Sequence, residues 1–354
     1  MNNNAADSRC ICGSLTDMVP LSLSLPVISR QTDLPHSAYD WLNQLQDSCW
    51  IYVPGWNPKR RRVIVTLLHG NEPSGTEALL AWLKEDVTPA CDLYCLLASV
   101  ATALTPPEFS HRMLPGSRDL NRCFAPPYDD DCGRLARQIT DDIAYLEPEA
   151  LIDIHNTSGS GPSFAVAMDY SPRHLALISW FCNRVIVPDV RLGSLMEVDA
   201  GCPTITIECG GARDEESLQV AYQGIHQVAV HEDIFKSPPH EPEVLLHPQR
   251  VELKPGVSVR YHEAPCEDAD ITLWPSIEHC NFGTTGIDTS LGWVGNDGIG
   301  LIQALDRDGE DHASRLFRID RGWLHPAMPL KIFMATSNPE IATSDCLFYA
   351  VPAD

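Results

Sequence analysis

The sequence predicts an α/β protein, a sheet flanked by helices, followed by a smaller β-rich unit at its C-terminal end. Three observations predict this. From Val63 onward, apolar strand-like runs alternate with segments of helical spacing, the pattern of an α/β unit. Three of those runs lead into an imidazole or a carboxylate, at His69, His155 and Glu208, and strand C-terminal ends are where open α/β sheets bind ligands. After Pro238-Pro239-His240-Glu241-Pro242 the texture changes to short β-prone runs separated by glycine turns. A chain of 354 residues suits one large α/β unit plus a smaller one. The expected division is an N-terminal arm over 1–38, a principal domain over 39–240 and a β-rich domain over 241–354.

The arm is polar and punctuated by Pro20, Pro26 and Pro35, with an alternating run Leu21-Ser22-Leu23-Ser24-Leu25 that reads as an edge strand. Trp41, Leu42 and Leu45 suggest a helix over 39–46, followed by a strand over 49–53 that ends at Pro54-Gly55. The cluster Lys59-Arg60-Arg61-Arg62 reads as a solvated hairpin turn. A strand over 63–68 precedes a helix over about 74–85, where Ser74 and Glu77 have the spacing of a capping box. The next strand runs from Asp92 to Ser99. Leu135, Ile139, Ile143 and Leu146 recur at helical spacing through 133–146 and form a core stripe. Strands over 150–154, 163–168, 184–187 and 203–207 follow, then a helix over about 214–232.

With 44% hydrophobic residues there is material for a core, while a net charge of −23 and a pI near 4.8 exclude a nucleic-acid footprint. No stretch approaches the ~20 apolar residues of a membrane span. Met1 to Asp7 lacks a charged segment leading into an apolar one, so no secretory signal is expected. The thirteen cysteines include no Cys-x-x-Cys pair, and Cys10-Ile11-Cys12 and Cys91-x-x-x-Cys95 are weak signals. A reducing cytoplasm is the expected compartment.

His69 and Glu72 combine an imidazole and a carboxylate across a turn, a pairing that suits Zn²⁺ and calls for a third protein ligand from elsewhere. His155, which closes the run Ala150-Leu151-Ile152-Asp153-Ile154, is the obvious third. Three protein ligands and one open position describe a catalytic zinc. Asp153, two residues earlier on the same strand face, is placed to orient that imidazole. Glu208 ends Thr204-Ile205-Thr206-Ile207, where core packing explains an acid poorly. The other histidines, His312 among them, have no partner at ligand spacing.

His69-Gly70-Asn71-Glu72-Pro73-Ser74-Gly75, Asp119-Leu120-Asn121-Arg122, Asp153-Ile154-His155-Asn156-Thr157 and Ile207-Glu208-Cys209-Gly210-Gly211 occur in the order that resembles the succinylglutamate desuccinylase/aspartoacylase family of the zinc-carboxypeptidase superfamily. The resemblance covers roughly residues 60–235. It implies a zinc-carboxypeptidase-like mixed sheet flanked by helices, and one Zn²⁺ per chain held by His69, Glu72 and His155. It further implies Glu208 as general base for the hydrolytic water, and Asn121 with Arg122 as the grip on a substrate carboxylate. Arg112 corresponds to the arginine that polarises the scissile carbonyl, with Arg118 as a competitor. Thr157 either hydrogen-bonds the substrate or simply shapes its loop. The chain departs from the better-known members in following its glutamate with Cys-Gly-Gly where they have Gly-Pro-Gln or a similar turn.

The activity implied is hydrolysis of a carbon–nitrogen bond in an N-acyl amino acid or similar small carboxylate-bearing amide. The neighbouring readings are a zinc carboxypeptidase acting on short peptides and a non-catalytic metal-binding scaffold. The partner is then a small molecule, with no nucleic acid and no membrane, and a homo-oligomer is left open.

Overall fold

A computed structural model describes residues 23–353 except 190, 237, 296–297, 307 and 345. The large sheet is built from β1 (Val27–Ser29), β2 (Cys49–Val53), β3 (Asn57–Thr66), β4 (Cys91–Leu97), β5 (Ala150–Thr157), β6 (Phe164–Val166), β7 (Arg184–Val187), β8 (Thr204–Gly211) and β9 (Glu243–Leu246). The strands lie in the order β1-β2-β4-β3-β5-β8-β6-β7-β9. β2 pairs antiparallel with β4, and β6 with β8, so the sheet is mixed as expected. Around it run α1 (Ala38–Leu45), α2 (Ser74–Lys84), α3 (Val100–Leu104), α4 (Asp131–Leu146), α5 (Pro172–Ile178) and α6 (Glu215–Val230).

The pleat sends successive side chains to opposite faces, and each face is covered differently. Ile64, Ile152, Ile154, Ile205 and Ile207 pack against α2 and α6, together with Ala165 and Val185. On the other face Val63, Val65 and Leu151 pack against Ala136, Ile139, Ile143 and Leu146 of α4. Each fully buried aliphatic of this kind contributes about 1.5–3 kcal/mol. Further along that second face, Phe164, Ile186 and Leu245 pack against Phe333 and Val351 of the C-terminal part. Between these two patches, on β5 and β8, the same face carries the buried Asp153 and then His155, Thr206 and Glu208, which line a cleft.

Beyond the proline cluster the chain first adds β9 to the large sheet, and only from Gln249 does it build two smaller ones. These use β10 (Gln249–Leu253), β11 (Val259–Tyr261), β12 (Ile271–Leu273), β13 (Thr284–Thr285), β14 (Gly292–Trp293) and β15 (Ile302–Leu305). They continue through α7 (Ala313–Leu316), β16 (Phe317–Asp320), β17 (Trp323–Pro326), β18 (Leu330–Phe333), α8 (Pro339–Ser344) and β19 (Phe348–Pro352). The sheet orders are β13-β18-β19-β10-β15 and β11-β12-β14-β17-β16, around a core that includes Val251, Ile271, Ile302, Leu324, Ile332 and Phe348.

Three local expectations are corrected. Lys59 to Arg62 extend β3 and are not a hairpin turn, because the chain reverses earlier, at Pro54-Gly55. Arg62 is fully buried: its Nε donates to Glu149 Oε1 at 2.6 Å, and its other nitrogens donate to the carbonyls of Val228, His231 and Glu232 at the end of α6. A cation there meets the carbonyl-rich helix terminus it favours. Ser74 does not cap its helix; it is buried, with its N–H donating to Asn156 Oδ1 and its hydroxyl accepting from Asn156 Nδ2 at 2.9 Å. The edge strand is Val27–Ser29, paired parallel with β2, since Leu23 to Leu25 form no strand. Leu21, Ser22 and the Cys10-Ile11-Cys12 triplet lie outside the described residues.

Arg62 gives a stability test. Glu149→Gln removes the counter-charge of a buried guanidinium, and unfolding in urea is expected to show a loss of about 3 kcal/mol. A loss well under 1 kcal/mol would mean that the helix carbonyls alone satisfy Arg62.

Among the described residues no helix is long and apolar enough to cross a membrane. Among the described residues no two cysteines form a disulfide.

Candidate metal centre

β3 ends at Thr66, and Leu67, with φ of 62°, turns the chain so that His69 stands at the mouth of the cleft. Gly70 is required next: a Cβ there would lie 2.6 Å from Thr102 Cγ2 and 2.8 Å from Ala103 N and His111 O. Its N–H donates to Arg112 O at 3.1 Å, and the Glu72 N–H donates to His69 O at 3.2 Å, which closes the turn. His155 stands in register with Glu208 across the β5–β8 ladder. Asn156 ties β5 to α2 and to the end of β8, donating to Ser74 Oγ and, at 3.0 Å, to Gly210 O.

The three expected ligands are brought together. One donor atom from each of His69, Glu72 and His155 lies within 4.8 Å of the others, and all three residues are buried. Glu72 sits between the two rings, Oε1 2.8 Å from His69 Nδ1 and Oε2 2.7 Å from His155 Nδ1. The far nitrogens are also engaged: His69 Nε2 is 3.0 Å from Asp119 Oδ1, and His155 Nε2 is 2.7 Å from Asp153 Oδ2. Each imidazole thus turns Nδ1 toward a common point and Nε2 toward a carboxylate. Two nitrogens and one oxygen, each ring backed by an acid, form a donor set that zinc accepts, so the residues present fit this ion.

The electrostatics follow from this packing. Burial works against charge on both imidazoles, yet Glu72 with Asp119 at His69, and Asp153 with Glu72 at His155, outweigh it and raise both above the usual histidine range. Burial likewise opposes ionisation of Glu72, but the two histidines hold its carboxyl well below the usual carboxylate range. Asp119 is held low by His69 and Arg112 against its own burial. Glu208 behaves oppositely. Burial, helped by the charge of Glu72, pushes its carboxyl up to about 7 although His155, His69 and Arg112 oppose the shift.

A cleft of about 1240 Å³ opens above these groups, lined by Arg112, Asn121, Arg122, Thr157 and Glu208 as well as the three candidate ligands. Arg112 donates from Nε and Nη2 to Asp119 Oδ2 at 3.0 and 2.9 Å, and its Nη1 is 3.5 Å from Glu72 Oε1. Asn121 Oδ1 accepts from the Leu195 N–H at 3.0 Å. Arg122 is exposed on the cleft and donates to Asn121 O. The Thr157 hydroxyl donates to Gly159 O at 2.6 Å, a bond internal to its loop. Arg118 is placed elsewhere: its guanidinium donates to both oxygens of Asp130, at 2.5 and 2.8 Å, at the start of α4.

Sequence reasoning missed two features. Asp119 was visible only as the first residue of a motif; no spacing relates it to His69, fifty positions earlier, and only the fold joins them. Asp306, Glu310 and His312 also approach one another closely enough to share a cation, so His312 does have ligand-spaced partners, but Glu310 is exposed and the group lies on a surface loop.

No family model matches the chain, and no curated protein matches it. Solved structures do. A succinylglutamate desuccinylase/aspartoacylase from Rhodobacter sphaeroides matches with a TM-score of 0.54 and 14% identity, over 86% of this chain and 88% of that one. The ectoine utilization protein EutE (DoeB) from Ruegeria pomeroyi, a product-bound structure, matches with a TM-score of 0.55 and 16% identity over the same shares, 86% and 88%. A succinylglutamate desuccinylase from a Silicibacter species matches with a TM-score of 0.52 and 15% identity, over 85% and 87%. The chain therefore carries the fold of the succinylglutamate desuccinylase/aspartoacylase structures.

Proposed function

We propose that the protein is a zinc-dependent deacylase that hydrolyses the amide bond of an N-acyl amino acid or a similar small carboxylate-bearing amide. The observation that carries this reading is the buried His69–Glu72–His155 cluster, with a carboxylate behind each imidazole and Glu208 on the adjoining strand. His69, Glu72 and His155 would hold the ion. When bound, zinc supplies Lewis acidity, which makes water a nucleophile near neutral pH and polarises a carbonyl.

The remaining work belongs to the chain's own groups. Asp119 and Asp153 accept the Nε2–H of the two imidazoles, so that a cation taking the place of the proton on Nδ1 would meet that nitrogen's lone pair. Glu208 takes a proton from the attacking water and passes it to the departing amine as the C–O bond forms and the C–N bond breaks. Arg112, at the mouth of the cluster, stabilises the developing oxyanion; Arg118, bound to Asp130, is remote from this task. Arg122 and Asn121 hold the substrate carboxylate, for which a planar guanidinium is suited.

The test is a metal analysis paired with a screen of N-acetyl and N-succinyl amino acids and dipeptides. Cleavage of the acylated amino acids by protein with about one zinc per chain supports the reading; cleavage of dipeptides alone would assign a carboxypeptidase, and no cleavage a scaffold. Asp119 supplies a second test. Asp119→Asn is expected to weaken zinc binding by about 10- to 100-fold, measured by competition with a chelator. An unchanged affinity would remove Asp119 from the account.

A further inference from the structure

Asn121 and Arg122, the expected grip on the substrate carboxylate, belong to one short helical turn, Leu120–Arg122. A single turn does not hold a side chain in place by itself; here the segment 192–197 does so. The Leu195 N–H donates to Asn121 Oδ1 at 3.0 Å, and the Phe124 N–H donates to Gly193 O at 2.9 Å. The first of these bonds decides what Asn121 can offer. An amide carries an acceptor at one end and two donors at the other, and a backbone N–H at Oδ1 fixes which end is which. Nδ2 has no partner among the described residues and Asn121 lines the cleft, so donors are what remains for a ligand. Beside them stands the Arg122 guanidinium, bound within the chain only through Nη1, to Asn121 O. Such a pair of donors matches a group that only accepts, as a carboxylate does.

The segment 192–197 is itself gathered around one side chain. Glu197 Oε1 accepts from the Leu192 N–H at 2.7 Å, the Ser194 N–H at 3.2 Å and the Ser194 hydroxyl at 2.7 Å, and Oε2 accepts from the Gly193 N–H at 3.1 Å. Gly193, with φ of 77°, brings this segment so near the grip that an added Cβ would lie 3.0 Å from Arg122 O. Leu192, Ser194 and Met196 line the cleft, whereas Glu197 stands behind them.

Resting on the deacylase reading, we propose that Glu197 is a positioning residue for the substrate carboxylate. By collecting the N–H groups of residues 192–194 it holds the Leu195 N–H against Asn121, and so keeps the Asn121 donors turned toward the ligand. The grip is then set before substrate arrives, and binding does not have to order it.

The experiment measures kcat and KM of the zinc-loaded full-length protein on the best-cleaved N-acetyl or N-succinyl amino acid of the screen above, with zinc content measured alongside. Glu197→Ala is expected to raise KM by about tenfold, the effect of losing one hydrogen bond to a charged group. Its kcat and zinc content should stay close to those of the unaltered protein, because the carboxylate is held alike in the ground and transition states. Glu197→Gln keeps the reach and one acceptor, as a capping box allows, so its KM is expected to lie between the two. An unchanged KM in both variants would overturn the proposal and leave the deacylase reading standing. A fall in kcat at unchanged KM, or a loss of zinc, would overturn it too, since Glu197 would then support the metal centre or the fold at large. Should Glu197→Ala fail to fold, the isosteric Gln variant decides by the same rise in KM or its absence. An unaltered protein that cleaves none of the acylated amino acids would remove both readings.

Discussion

Replacing Glu208 by Gln is expected to lower kcat/KM by about 10²–10⁴-fold, the usual contribution of a positioned general base, while zinc content stays at that of the unaltered protein. The substitution keeps size and polarity and removes only the ability to take a proton. Because Glu208 must be ionised to act as a base, the rate of the unaltered protein should rise with pH as its carboxyl loses its proton. Burial places that carboxyl near 7 before any cation is bound. A cation next to it would favour the ionised form and draw this limb toward lower pH. In Glu208→Gln the limb should vanish. A variant that keeps its activity would show that Glu208 is only a buried neighbour of the histidines, and a variant that loses zinc would show that it belongs to the ligand set.

His155→Ala is the second change of large effect. It removes one of three expected ligands, so zinc affinity should fall by more than the 10- to 100-fold that an outer carboxylate controls, and deacylation should fall with it. The same change strips Asp153, which is fully buried, of the one partner shown for its Oδ2. An orphaned buried acceptor costs about 1–3 kcal/mol, so a modest drop in melting temperature is expected as well. Dialysis against excess zinc separates the two effects: recovered activity at saturating metal would assign the loss to affinity, and lost activity in a folded, zinc-loaded variant would assign it to positioning.

The core of the site was legible because His69, His155 and Glu208 all stand where apolar strand-like runs give out, a position that packing does not explain and that an α/β sheet turns toward one edge. The sheet itself was legible from the same runs, since Ile152 and Ile154 alternate in their strand with Leu151 and Asp153 on the opposite face. What escaped the sequence was whatever depends on partners distant in the chain. Arg62 looks like a solvent-facing charge until Glu149 and the end of α6 are placed beside it. Ser74 has the spacing of a cap, but Asn156 claims its hydroxyl. β9 follows a proline cluster that marks a boundary locally, yet its backbone pairs with β7. Asp119 sits in a motif visible from the start, and its bond to His69 depends on a turn that Gly70 makes possible by letting the segment 102–112 approach closely.

Diffraction from crystals of the zinc-loaded protein, recorded on either side of the zinc absorption edge, tests the central claim most directly. The account predicts one strong anomalous peak per chain, bonded to Nδ1 of His69, Nδ1 of His155 and a carboxylate oxygen of Glu72 at about 2.0–2.2 Å. A peak only at Asp306, Glu310 and His312, or none near residue 155, would contradict it.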